Sequence, residues 1–173
     1  MATESILKVV VFGALNAGKT TFVEKLSGQN LLVKGDFDSI TTSFDFVQIE
    51  QQGFLIHLFA SPGHRRFSFM WNTLATGMNG AILLIDSTVG ITPVDHELVK
   101  FIMGYDVPYI IAANKNDICE IKDSYIREEL NISDEVPVVN TSALENQDLE
   151  NIMGGLIKNI EKKLNNSGKS NEN

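Results

Sequence analysis

Gly13-Ala14-Leu15-Asn16-Ala17-Gly18-Lys19-Thr20 is the stretch on which the fold turns, since it matches the pattern Gly-x-x-x-x-Gly-Lys-Ser/Thr. The apolar run Ile6 to Phe12 precedes it, and a helix-like segment from Lys19 to Leu26 follows, with Phe22, Val23 and Leu26 on one face. A strand before and a helix after are the context in which this pattern acts as a phosphate-binding loop. Its glycines let the backbone curl so that successive N–H groups point inward at a helix N-terminus, forming an anion nest. Asn16, Ala17, Gly18, Lys19, Thr20 and Thr21 are the expected phosphate contacts. Lys19 is placed to reach the β- and γ-phosphates and the Thr20 hydroxyl to ligate Mg²⁺. The stretch points to a nucleoside triphosphate and says nothing of the base.

Outward from this loop, strand-like and helix-like runs alternate, as in an α/β sheet. Ile6 to Phe12 is nearly continuously apolar, which fits a strand buried on both faces. The stretch from Ser27 to Ile40 lacks a period and reads as a long loop. Ser43 to Gln51 and Phe54 to Phe59 are separated only by Gln52-Gly53, so they must form a tight antiparallel hairpin. Phe67, Met70, Trp71, Leu74 and Met78 recur at helical spacing. Strands are expected at Ala81 to Ile85, Tyr109 to Ala113 and Val136 to Asn140. One helix opens at Thr92-Pro93 and closes at Gly104, and a short charged one covers Asp123 to Leu130. Leu149, Ile152, Met153, Leu156, Ile157, Ile160 and Leu164 mark the clearest amphipathic helix. The sum is six strands, one antiparallel to the rest, with about five helices. Residues 1–164 form a single domain, and the polar tail 165–173 is expected to fray.

Asn114-Lys115-Asn116-Asp117 lies just past the fifth strand, where ligands of open α/β sheets bind. In an Asn-Lys-x-Asp pattern the carboxylate can accept two hydrogen bonds from guanine, through N1–H and the exocyclic amine. Adenine offers neither donor there, and a carboxylate left unpaired penalises the wrong base.

The phosphate loop, Thr41-Thr42, Pro62-Gly63-His64, Asn114-Lys115-x-Asp117 and Thr141-Ser142-Ala143 together resemble the Ras superfamily of small GTPases. The resemblance covers about residues 5 to 164 and implies a P-loop NTPase G domain. The phrase Phe59 to Phe67, followed by Met70-Trp71, looks most like bacterial and archaeal small GTPases, relatives of the polarity switch of gliding bacteria. The resemblance gives Ser142 and Ala143 a guanine-facing role, through the N–H after the serine. It lays Lys115 against the nucleotide. Thr41, four residues before Asp45, matches the switch threonine, a Mg²⁺ ligand whose N–H touches the γ-phosphate; Thr42 is the runner-up. Gly63 matches the glycine whose N–H senses that phosphate.

One departure stands out. The family pattern Asp-x-x-Gly reads Ala60-Ser61-Pro62-Gly63 here, so the aspartate that holds a water on Mg²⁺ is missing. Ser61, Asp36 or Asp38 are candidate substitutes, whereas Asp86 reads as a turn cap. His64 stands where most small GTPases carry glutamine. Translational GTPases carry Pro-Gly-His there, and the histidine positions the attacking water. The expected catalytic set is therefore His64, Lys19, Thr41 and Gly63. Arg65, Arg66 or a partner could supply positive charge, while the bulk of Leu15 argues against an arginine inserted from outside. Hydrolysis without helpers is expected to be slow, roughly 10⁻⁴ to 10⁻² per second.

These residues imply a GTP/GDP switch that uses Mg²⁺ and meets regulators and effectors at residues 34–46 and 60–78. Phe69, off the apolar stripe, and Trp71 are the candidate anchors. The alternative reading is a GTP-binding module with negligible hydrolysis, which the loss at Ala60 favours. A net charge of −8 argues against nucleic-acid partners and against charge-driven membrane docking. The single Cys119 suits a reducing compartment. With no membrane-spanning run, no apolar leader core, alanine at position 2 and no terminal prenylation cysteine, a cytoplasmic protein is expected. Any membrane visit would then be through partners.

Overall fold

The structure is a computed structural model that describes residues 5–28, 45–146 and 148–169. Among the described residues twelve elements follow one another. They are β1 (Ser5–Gly13), α1 (Lys19–Ser27), β2 (Asp45–Gln51), β3 (Phe54–Ala60), a 3₁₀ helix (Arg65–Met70), α2 (Trp71–Ala75), β4 (Gly80–Asp86), α3 (Pro93–Met103), β5 (Tyr109–Asn114), α4 (Asp123–Leu130), β6 (Val138–Asn140) and α5 (Leu149–Lys169). The strands form one sheet in the order β2-β3-β1-β4-β5-β6. Only β2 runs antiparallel, to β3; the other pairings are parallel.

The sheet carries apolar residues on both faces, so each face builds its own core. On one side α1 and α5 cover Val9, Val11, Leu58, Ile82 and Ala112 with Phe22, Val23, Ile152, Leu156 and Ile160. On the other, α2, α3 and α4 cover Val10, Phe12, Leu83 and Ile111 with Trp71, Leu74, Leu98 and Ile126. Every residue of β4 is buried, which explains its unbroken apolar run. The hairpin turn uses positive φ at both Gln52 (54°) and Gly53 (80°), the twist a two-residue connection demands. It sets the register from Gln51↔Phe54 back to Asp45↔Ala60. Pro93 opens α3, and the Asp95 carboxylate accepts from the Thr92 N–H at 2.8 Å and from its hydroxyl at 2.9 Å.

Four expectations need correction. The stretch 65–75 is a 3₁₀ helix followed by a single α-turn rather than one regular helix, so Phe67 and Met70 are only half-buried. Phe69 is 71% exposed as expected, but Trp71 is 6% exposed and packs against Phe101 in the core, the ring planes inclined at 56°; it is no surface anchor. The last strand starts at Val138 rather than Val136, since Pro137 has no N–H for the ladder and only its carbonyl pairs, accepting from the Ile111 N–H. The helix α5 continues to Lys169, past the point where the chain was expected to fray. Propagation costs little once a long amphipathic helix has nucleated, and the Ser167 hydroxyl bonds back to the Lys163 carbonyl.

Leu156 sits fully buried where α5 meets the sheet. Leu156→Ala is expected to cost about 2–5 kcal/mol by urea unfolding; a loss under about 1 kcal/mol would mean that α5 is not part of the core.

Candidate functional site

The phosphate loop folds as its glycines dictate. Asn16 (φ 64°) and Gly18 (φ 100°) are left-handed, and the Ala17 N–H turns back to the Ala14 carbonyl. A side chain at Gly18 would meet the Asn114 amide nitrogen at 2.3 Å, so only glycine fits. The Lys19 ammonium is buried and donates to the carbonyls of Gly13 and Ala14, both at 2.8 Å. Burial lowers its pKa from 10.5 to about 8, against the opposing pull of the Asp95 and Asp45 carboxylates. Gly63 presses against the same loop, since a Cβ there would lie 2.6 Å from the Lys19 Nζ and 2.9 Å from the Leu15 Cα.

Asn114, at the end of β5, ties the site's two halves together. Its Nδ2 donates to the Ala17 carbonyl at 2.8 Å, and its Oδ1 accepts from the Ala143 N–H at 2.9 Å. Asp117 accepts from the Ser142 hydroxyl at 2.8 Å, which aims the carboxylate. Two cavities result. One of about 300 Å³ is lined by the phosphate loop with Ser61, Gly63 and Lys115. The other, about 190 Å³, is lined by Gly18, Thr21, Asn114, Lys115, Asp117, Ile118, Ala143 and Leu144. Gly18, Thr21 and Lys115 line both, so the cavities adjoin as the phosphate and base ends of one nucleotide would. Ile118 and Leu144, 69% and 64% exposed, supply apolar walls that the sequence reading did not single out.

Some of the expected residues are engaged otherwise than anticipated. The Ala143 N–H, expected to face guanine, is taken by Asn114, because a buried donor settles on the nearest acceptor. The Lys115 ammonium lies 2.6 Å from the Asp86 carboxylate. Burial works against the charge on Asp86, but the hydrogen bonds from Lys115 and Thr88 outweigh it and hold its carboxyl below the usual range. Asp86 also caps its turn as expected, through the Thr88 N–H at 2.9 Å. Its ion pair with Lys115 was not foreseen. His64 is half-exposed; its Nδ1 accepts from the Arg66 N–H at 3.2 Å, and the Arg66 guanidinium stacks 4.8 Å from the Phe67 ring centre. Thr41 and Thr42 lie outside the described residues, as does the side chain of Arg65.

The Thr20 hydroxyl donates to the Asp45 carboxylate at 2.8 Å. Ser61, lining the same cavity as Thr20, is 2% exposed and its hydroxyl has no hydrogen-bond partner among the described residues. An all-oxygen donor set suits a hard cation. No three His, Cys, Asp or Glu side chains converge among the described residues. No described helix is long and apolar enough to cross a membrane.

Residues 37–162 match the family described as the elongation factor Tu GTP-binding domain. The chain therefore belongs to that family, and it is a P-loop GTP-binding domain. The match begins beyond the phosphate loop, which rests on its own pattern and geometry. An uncharacterized protein of Methanocaldococcus jannaschii is 36% identical over 120 residues, 69% of this chain and 77% of that one. GTPase Der of Maridesulfovibrio salexigens is 27% identical over 85% of this chain, which spans only 36% of Der. In fold, the chain is similar to the crystal structure of a bacterial selenocysteine-specific elongation factor, EF-Sec. That likeness has a TM-score of 0.77 at 22% identity and covers 91% of this chain and 29% of the other.

The depressed Lys19 pKa gives the site a pH dependence. The ammonium must be charged to bind phosphate, and it loses its proton near pH 8 in the free protein. Affinity for GDP, measured in EDTA so that no metal contributes, is expected to be flat up to about pH 7 and to fall about fourfold by about pH 8.5. An affinity that stays level over this range would place the lysine pKa well above 8.

Proposed function

We propose that this member of the elongation factor Tu GTP-binding family is a molecular switch that binds Mg²⁺–GTP and hydrolyses it slowly to GDP and phosphate. The observation that carries the reading is the Asp117 carboxylate, aimed by Ser142 beside an apolar-walled cavity that adjoins the phosphate loop. The carboxylate accepts from guanine N1–H and the exocyclic amine, Ile118 and Leu144 flank the base, and the loop N–H groups with Lys19 hold the phosphates. To receive phosphate, Lys19 gives up its two carbonyl partners, while Ala143 keeps its N–H on Asn114 and lines the base cavity. Thr20 and Thr41 hold the magnesium ion, which supplies neutralisation of charge on the phosphate oxygens.

His64 positions the attacking water. With Nδ1 accepting from the Arg66 N–H, the neutral ring carries its proton on Nε2. The nitrogen left free is then a donor, suited to orienting a water by hydrogen bond rather than to removing its proton. Pro-Gly-His is also the form this segment takes in translational GTPases, which the family match supports. Leu15, 41% exposed, stands on the loop beside Gly63 and obstructs an arginine from outside. A partner therefore assists by ordering His64. Regulators and effectors engage residues 34–46 and 60–78, where Phe69 is the exposed anchor. The phrase from Phe59 to Phe67 keeps the narrower resemblance to bacterial and archaeal small GTPases related to the polarity switch of gliding bacteria. On this reading the protein works in the cytoplasm, without nucleic acid, and reaches membranes through partners.

Asp117→Asn is expected to weaken GTP binding about ten- to a hundredfold and to gain affinity for xanthosine triphosphate; equal GTP affinity in variant and parent, by competition with labelled nucleotide, would remove the base assignment. His64→Ala is expected to slow single-turnover hydrolysis about tenfold or more with GTP affinity within about twofold of the parent. Unchanged turnover would make His64 an ordinary loop histidine, whereas no single-turnover hydrolysis by the parent, with or without cell extract, would favour instead a GTP-binding module that barely cleaves its ligand.

A further inference from the structure

We propose that Asp45, on β2, is the carboxylate that positions the magnesium-binding hydroxyl of Thr20, and so supports the ion from the neighbouring strand in the absence of the aspartate that the family pattern puts at position 60. The inference rests on the Mg²⁺–guanine nucleotide reading above and adds to it the residue that supports the metal. Three independent features of the chain meet at this point.

The first is register. Asp45 is the direct cross-strand partner of Ala60 in the β2–β3 ladder. Directly opposed residues of an antiparallel pair present their side chains on the same face, with Cβ atoms about 4.5–5.5 Å apart. That face is the one covered by α1: Val47 and Leu58, the next pair along it, belong to the same core as Phe22 and Val23 of that helix. A carboxylate removed from position 60 and placed at position 45 therefore stays on the same face of the sheet, one strand over.

The second is the hydrogen bond itself. The Thr20 hydroxyl donates to the Asp45 Oδ2 at 2.8 Å. A hydroxyl that ligates a cation does so with an oxygen lone pair and must send its proton elsewhere. An anionic acceptor on the far side turns the lone pairs toward the metal and raises their basicity, as outer-layer partners of metal ligands do. Among the described residues, Asp86 is held by Lys115 and Thr88, Asp117 by Ser142, and Asp95 through its Oδ2 by Thr92, with its Oδ1 unpartnered. The third is the buried Ser61 hydroxyl, unpartnered among the described residues and lining the same cavity as Thr20. A polar atom that deeply buried requires a partner, and it adds a hard oxygen next to Thr20.

Release of fluorescent GDP, followed against free Mg²⁺, tests the assignment. In the parent protein Mg²⁺ slows release with a definite midpoint. Asp45→Asn is expected to raise that midpoint about ten- to a hundredfold while leaving the release rate in EDTA within about twofold. Adding Ala60→Asp to that variant is expected to bring the midpoint back toward the parent value. An unchanged midpoint in Asp45→Asn, or release accelerated equally with and without Mg²⁺, would overturn the assignment. If Asp45→Asn does not fold, Ala60→Asp alone decides. A shift within about threefold means the role is already filled, and a midpoint about tenfold lower or more means that position 45 does not fill it. Failure of the parent to bind GDP would strike the underlying nucleotide reading instead, and the two failures are thereby told apart.

Discussion

One buried amide sets the geometry on which the rest of the site depends. Asn114 is 3% exposed and joins three separate segments: the phosphate loop through the Ala17 carbonyl, its own strand end, and the loop after β6 through the Ala143 N–H. Both ends of the amide are satisfied, so the side chain has one orientation available. Removing it would leave a buried carbonyl and a buried N–H unpaired, each costing on the order of 1–3 kcal/mol. The same amide explains why position 18 must be glycine, since a Cβ there would fall 2.3 Å from its nitrogen. Phosphate end and base end are thus held at a fixed separation by a residue that lies between them.

Much of this was legible because the signals are local. The unbroken apolar run of β4, the two-residue turn at Gln52-Gly53 and the stripe along α5 each have a single physical reading, and each element appears where that reading puts it. The failures occurred where tertiary packing overrides a local period. Phe67, Met70 and Trp71 keep helical spacing on paper, yet the chain first winds as a 3₁₀ helix and only then lets Trp71 reach the core beside Phe101. The Asp86–Lys115 ion pair joins residues 29 apart on adjacent strand ends, and no window along the chain contains both. Ile118 and Leu144 carry no local signal in the sequence, and only the fold brings both to the lining of one cavity.

Asp45 belongs to a third class, legible but unread. The hairpin turn pairs Gln51 with Phe54, and counting outward one residue at a time brings Asp45 opposite Ala60. Register in a two-residue hairpin follows from the turn alone. The acidic candidates from the sequence were Asp36 and Asp38, in a stretch that reads as a loop; both lie outside the described residues. A strand residue fixed by a ladder is better placed than a loop residue, since its position costs no ordering on binding.

On the proposed assignment, moving the carboxylate from β3 to β2 changes what the metal is coupled to. β3 lies inside the sheet, hydrogen-bonded on both sides by β1 and β2. β2 pairs, among the described residues, on one side only, and Asp45 is the first of its described residues. The segment that leads into it contains Thr41, four residues earlier in the chain. Two supports of the ion, a direct ligand and the acceptor that orients Thr20, then arrive on one short stretch. In the family pattern they come from two. A displacement of that stretch would loosen both at once, so metal affinity and the position of the partner-reading loop become reciprocally linked. An aspartate on the inner strand would leave only Thr41 on that stretch. With Asp45 in the role, the direct ligand and the acceptor behind Thr20 both depend on it.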